Sequence, residues 1–88
     1  MIPYSIGYKD GIKRDLNKIS KIYYDSIFSR IGKLSIEPIP SDSVKIAGSD
    51  NYYRIRSGDY RIIYTVIHEQ NSVIIYYIRH RKNIYRDF

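Results

Sequence analysis

At 88 residues the chain has the size of one domain, 1–88, and its lack of cysteine excludes a disulfide framework and a thiolate metal site. A formal net charge of +6 and a pI near 9.6 point either to an anionic partner or to a merely basic, soluble surface. No apolar run approaches the ~18 residues of a membrane span, and the N-terminus lacks the charge-then-apolar order of a signal peptide, so the expected setting is cytoplasmic, away from membranes.

The basic residues are unevenly placed. Residues 52–88 carry seven basic and three acidic side chains, against eight and six in residues 1–51. Six of the eight arginines follow residue 52, whereas six of the seven lysines precede it. Arginine is favoured over lysine where a planar, bidentate contact to phosphate matters.

In chain order, residues 3–8 alternate and predict a short first strand that begins at Pro3. Asp10 is a candidate helix cap, and Ile12, Leu16 and Ile19 follow at helical spacing, with Lys13, Arg14, Asp15, Lys18 and Lys21 off that stripe. A second apolar set is Ile22, Tyr23, Ile27, Phe28, Ile31 and Leu34. One helix over 11–33 would span about 35 Å, longer than the ~30 Å expected of the domain, so the stretch is read as a helical hairpin with Ser20 as second cap and Gly32 at its end. Residues 35–43 hold two prolines and several turn formers and are read as a loop, with a brief extended piece at Val44-Lys45-Ile46.

Residues 52–64, YYRIRSGDYRIIY, alternate with period two on both sides of Gly58-Asp59 and predict a hairpin of strands 52–57 and 60–67. A two-residue turn sets Ser57 opposite Tyr60 and Arg56 opposite Arg61, with Arg54 on the same face. Like charges directly opposite are unfavourable, so a sequence that accepts them has an anionic ligand to place there. After a polar loop at 68–72, residues 73–79 form a strongly apolar fourth strand. The expected fold is α+β, β-α-α-β-β-β: a mainly antiparallel four-stranded sheet, a helical hairpin on one face, and the arginines on the other.

Clustered carboxylates, nucleotide-binding glycine motifs and a nucleophile elbow are all missing from the sequence, so neither a metal nor a cofactor is expected. What remains is Arg54, Arg56, Arg61, Arg79, Arg81, His80 and Tyr85. Their arrangement depends on strand register. A three-residue loop at 70–72 sets Arg81 opposite Arg61 with Arg79 on the same face, whereas a turn at Gln70-Asn71 sets His80 opposite Arg61. Both faces of 73–79 are apolar and do not decide.

Such a cluster suits phosphodiester cleavage in RNA, where the substrate brings its own nucleophile, the 2′-OH. Arginines can stabilise the phosphorane, tyrosine can stack on a base, and histidine titrates near neutrality. The plainer alternatives are a neutral His80 at a strand end and a Tyr85 packed on the sheet.

The run YRIRSGDYRIIY, followed about fifteen residues later by RHRKNIY, resembles the RelE/ParE superfamily of toxins, and within it the RelE branch. The resemblance covers nearly the whole chain and is most specific in the hairpin and tail. It implies the RelE-like fold and a toxin of a type II toxin–antitoxin system: a ribosome-dependent, metal-independent mRNA endonuclease that blocks translation by 2′-OH attack. It further implies transition-state stabilisation by Arg61, a leaving-group role for Arg81, stacking by Tyr85, and substrate contacts from Arg54 and Arg56. Beside the resemblance, the residues themselves make Lys45, Arg79 and Lys82 candidate substrate contacts and His80 a candidate for proton transfer. Its implied partners are mRNA, the ribosome and a RelB-like antitoxin in a hetero-oligomer. Lysines stand in well-studied members where this chain has Arg54 and Arg56, and a guanidinium is a poor general base. The alternatives are a ParE-like DNA gyrase inhibitor without nuclease activity, and a non-catalytic RNA-binding module or decayed toxin.

Overall fold

A computed structural model describes residues 2–49 and 51–83. Its elements are β1 (Ser5–Tyr8), α1 (Ile12–Asn17), α2 (Tyr24–Gly32), β2 (Val44–Lys45), β3 (Tyr52–Ser57), β4 (Tyr60–Ile67) and β5 (Ser72–His80), with single 3-10 turns at Lys21–Tyr23, Lys33–Ser35 and His68–Gln70. The sheet order is β1-β5-β4-β3-β2, with β1 parallel to β5 and every other pair antiparallel. The class is therefore the expected α+β. The strand count is five instead of four, because Val44 and Lys45 pair with Arg54 and Tyr53 as a two-residue edge strand.

The helical stretch divides because its residues cannot stay in one rod and still reach one sheet. The chain extends at Ser20 (ψ 139°), and the Tyr24 hydroxyl donates at 2.7 Å to Leu16 O, which also accepts from the Ile19 N–H at 3.0 Å, so the start of α2 is tied to the end of α1. Gly11 precedes α1 in place of Asp10, and no side chain caps either helix. Gly32 stays right-handed (φ −58°), so α2 tightens into the next 3-10 turn instead of stopping at a left-handed glycine. No described helix is long and apolar enough to cross a membrane.

Ile12, Ile19, Ile27, Ile31 and Leu34 pack on the sheet face formed by Ile55, Ile62, Tyr64, Val66, Val73, Ile75 and Ile78. Ile22 departs from its expected stripe and is 78% exposed, since it falls in the turn between the helices. Tyr64 is fully buried, and its hydroxyl donates to Pro38 O at 2.8 Å. Burial pushes its pKa up to about 12. The unfolded phenol ionises near 10, so the folded state holds this proton more tightly than the unfolded chain does. The resulting stability is fully present below about pH 10 and is lost as pH rises toward 12, by about 2–3 kcal/mol in total. Urea unfolding between about pH 9 and 12 measures this loss, and Tyr64→Phe is expected to flatten it.

The hairpin forms as its alternation requires. Ser57 lies opposite Tyr60 and Arg56 opposite Arg61, and Gly58 takes a φ of +57°, which a residue with a Cβ adopts at a cost. Gly58→Ala is expected to destabilise by about 1–2 kcal/mol, read as a shift in denaturant midpoint at constant slope.

The β4–β5 register differs from both alternatives read from the sequence: Arg61 faces Arg79, and Tyr60 faces His80. Two features account for this. The connection closes as the 3-10 turn His68–Gln70 plus Asn71 in the left-handed region (φ 48°). The register then shifts between Ile63 and Tyr64, which leaves Tyr76 without a partner as a bulge.

Candidate functional site

The non-helical face of the sheet carries Arg56, Arg61 and Arg79 directly adjacent across β3, β4 and β5, with Arg54 two residues along β3. Each neighbour in this row has an arrangement that eases the repulsion. The Arg61 guanidinium bends toward the turn and donates from one terminal nitrogen to Gly58 O at 3.1 Å and to Tyr60 O at 3.3 Å. Arg79 is drawn the opposite way, to the edge of β5, where its Nε donates to Asp15 Oδ1 at 3.1 Å and its guanidinium lies 4.5 Å over the Tyr77 ring. Arg56 is exposed.

Arg81 follows β5 and converges on the same turn. Its backbone N–H donates to Asp59 O at 2.8 Å, and its Nε lies 3.7 Å from an Asp59 carboxylate oxygen. Arg61 and Arg81 are thus brought to one end of the sheet, although not as cross-strand partners. Partial burial, and then the positive charges of Arg56, Arg54 and Arg81, hold the Arg61 guanidinium below its ordinary pKa. In plain terms, Arg61 sits in a field that an arriving anion would relieve.

The sequence pattern sets Asp15 off the apolar stripe of its helix. In the structure it is 4% exposed and accepts from the Ile78 N–H at 3.0 Å as well as from Arg79. The reason lies in the sheet: β1 pairs with β5 only as far as Ile75, and α1 lies against the edge beyond. The Asp15 carboxylate supplies the acceptor that a continuing strand would have given. The signal was in the spacing, because Ile12, Asp15 and Ile19 fall at i, i+3 and i+7 on one helical face.

Other expected site residues lie elsewhere. His80 is opposite Tyr60, and its ring meets the Tyr60 ring edge-on (5.5 Å, 87°), while Tyr60 in turn packs against Tyr23 at 5.5 Å. Tyr60 belongs to the helical side of the sheet, so His80 and the arginine row lie on opposite faces. Tyr23, Ser26, Ser57, Gly58, Asp59, Tyr60 and His80 line a depression of about 300 Å³ there. Lys45 is exposed on edge strand β2 opposite Tyr53, whose ring stacks with Tyr64 on the helical side. Lys82 is exposed in the turn after β5. Tyr85 lies outside the described residues.

The bulge adds an unexpected feature. Because one residue is extra, consecutive side chains Tyr76 and Tyr77 both serve the arginine face: Tyr76 meets Tyr52 edge-on at 5.1 Å and lies under Lys9 Nζ (4.5 Å), and Tyr77 lies under Arg79. The hydrogen bond to Tyr76, with burial adding to it, raises the Tyr52 pKa. Among the described residues no three His, Asp or Glu side chains gather in a way that could hold a metal ion.

Chemically, the arrangement offers fixed guanidinium donors at one end of an aromatic-bearing sheet face, fit to hold a phosphodiester. Residues 6–85 match a family model described as the ParE toxin of the type II toxin–antitoxin system parDE. Toxin RelG of Mycobacterium tuberculosis is 30% identical over 97% of this chain and 99% of its own length. Among solved structures, the archaeal RelE–RelB complex from Pyrococcus horikoshii OT3 superposes with a TM-score of 0.78 at 27% identity, covering 91% of this chain and 97% of that one. The RelB–RelE complex from Methanococcus jannaschii does so with a TM-score of 0.76 at 29% identity, covering 93% and 98%.

Proposed function

Since the chain belongs to the RelE/ParE toxin superfamily of type II toxin–antitoxin systems, we propose that it is a metal-independent endoribonuclease that cuts mRNA on the ribosome and so blocks translation in the cytoplasm. The observation that carries this reading is the convergence of Arg61 and Arg81 on the Gly58–Asp59 turn, with Arg56 beside them. In the reaction the substrate 2′-oxygen attacks the adjacent phosphorus, the P–O5′ bond breaks, and a 2′,3′-cyclic phosphate and a 5′-hydroxyl result. Arg61 stabilises the phosphorane charge, Arg81 acts at the leaving oxygen, and Arg54 and Arg56 position the backbone. Tyr85 stacks on a base. The guanidiniums keep their protons, so the 2′-OH proton passes to water and the leaving 5′-oxygen takes its proton from water, with Arg81 stabilising the charge on that oxygen.

The partner of this toxin is a RelB-like antitoxin in a hetero-oligomer. Support comes from the M. jannaschii and P. horikoshii relatives, whose structures are RelE–RelB complexes. An open apolar groove of about 510 Å³ lined by Tyr8, Ile12, Leu16 and Phe28, flanked by Lys9, Asp10 and Lys13, offers an amphipathic segment a place to lie. Co-expression of a cognate RelB-like antitoxin is expected to remove toxicity.

The family description names ParE, which favours a second reading, inhibition of DNA gyrase without RNA cleavage. Induction in cells separates the two. The expected result is arrest of protein synthesis with new primer-extension stops on translated mRNA. Arrest of DNA synthesis alone, with intact mRNA, would establish the second reading.

A further inference from the structure

Three consecutive amides follow β5, and all three have acceptors. The Arg81 N–H donates to Asp59 O at 2.8 Å, the Lys82 N–H to His80 Nδ1 at 3.2 Å, and the Asn83 N–H to His80 O at 2.8 Å. His80 therefore supplies two of the three bonds that close the turn carrying Arg81. Its ring cannot swing freely, because Tyr60 meets it edge-on and Tyr23 backs Tyr60. Nδ1 accepts only when it carries no proton, so the bond to Lys82 selects the neutral imidazole with its proton on Nε2. The ring also lies across the sheet from the arginine row, and so away from the phosphodiester that the row would hold.

We propose that His80 is a positioning residue: its neutral imidazole clamps the 81–83 turn so that Arg81 stays beside the Gly58–Asp59 turn and Arg61. Arg81 is otherwise weakly held. Its ion pair with Asp59 is long and solvent-exposed at both ends, and such pairs contribute little order by themselves. The order comes from the main chain, and His80 fixes that main chain. The inference uses the endonuclease reading only for the effect on cleavage, while the clamp itself is measurable without it.

Two near-isosteres separate the clamp from proton transfer. In His80→Asn the amide oxygen occupies the place of Nδ1 and can accept from Lys82, but it cannot carry a proton between groups. In His80→Gln the oxygen is one bond farther out and misses that place. Amide hydrogen exchange at Lys82, measured by NMR on the full-length chain, is expected to remain slow in wild type and His80→Asn and to accelerate about tenfold in His80→Gln and His80→Ala. Cleavage is expected to follow the same division: His80→Asn within about threefold of wild type, Gln and Ala down about tenfold, with rescue appearing in kcat more than in KM. Similar thermal midpoints for the Asn and Gln variants would show that stability does not cause the difference.

Equal loss of cleavage in Asn, Gln and Ala, with Lys82 still protected in Asn, would overturn the clamp in favour of proton transfer. Unchanged Lys82 exchange in all three variants would overturn it outright. Wild type that cuts no mRNA would remove the endonuclease reading, and the Lys82 exchange pattern would then still decide the clamp by itself.

Discussion

Arg61→Ala is expected to reduce single-turnover cleavage of ribosome-bound mRNA by about 10²–10³-fold, the loss typical of removing one preorganised donor to a developing oxyanion. The side chain is half-buried and oriented by Gly58 O and Tyr60 O, which occupy one terminal nitrogen and leave the rest of the donor fork for a phosphate. Three neighbouring arginines raise the cost of its charge in the free protein. The charge that develops on the phosphorane relieves that cost most at the transition state, so kcat is expected to fall more than KM rises. Arg61→Lys is expected to recover only part of the rate, because an ammonium keeps the charge and loses the planar fork. Cleavage by Arg61→Ala within about threefold of wild type would remove Arg61 from the chemistry.

Asp15→Ala is expected to produce the largest stability loss, about 3 kcal/mol. One carboxylate serves two partners: it closes the ladder at Ile78 N–H where β1 has ended, and it neutralises Arg79. Truncation leaves a buried amide without this acceptor and takes the carboxylate from a guanidinium that is only 21% exposed. In a domain of this size such a loss lowers Tm by more than about 10 °C. Asp15→Asn keeps an acceptor for the amide and loses the charge, so it is expected to fall between Ala and wild type. A cost below about 1 kcal/mol for Asp15→Ala in urea unfolding would refute the shared role.

Much of the frame was legible because period-two alternation is a strong signal. The β3 boundaries, the start of β4 and the pairing of Arg56 with Arg61 follow from YYRIRSGDYRIIY alone. Turn chemistry and short edges carried less information. A two-residue strand at Val44–Lys45 has no periodicity to read, and Asn71 closes a connection that composition marked only as polar. The convergence of Arg61 and Arg81 was anticipated, but by way of a cross-strand pairing that does not occur. It arises instead from Asp59, which both closes the hairpin and holds Arg81. His80 joins the arginines only in the register with a turn at Gln70-Asn71, which lacks the bulge and does not occur. Asp15 was missed because charge was weighted above helical position.

The apolar residues of β5 change parity along the strand. Val73 and Ile75 face the helices from odd positions and Ile78 from an even one. A continuous ladder cannot satisfy both, since it would send Arg79 into the core and Ile78 into the arginine row. The spare residue at Tyr76 resets the phase, so β5 works as two half-strands joined by a phase-shifting link. Deleting Tyr76 would leave Tyr77 opposite Ile63 and every later pair unchanged. Inserting a residue after it would instead exchange Arg79 and His80 between the two faces. The chemical half of the molecule therefore tolerates loss at that one point and is inverted by gain just beyond it.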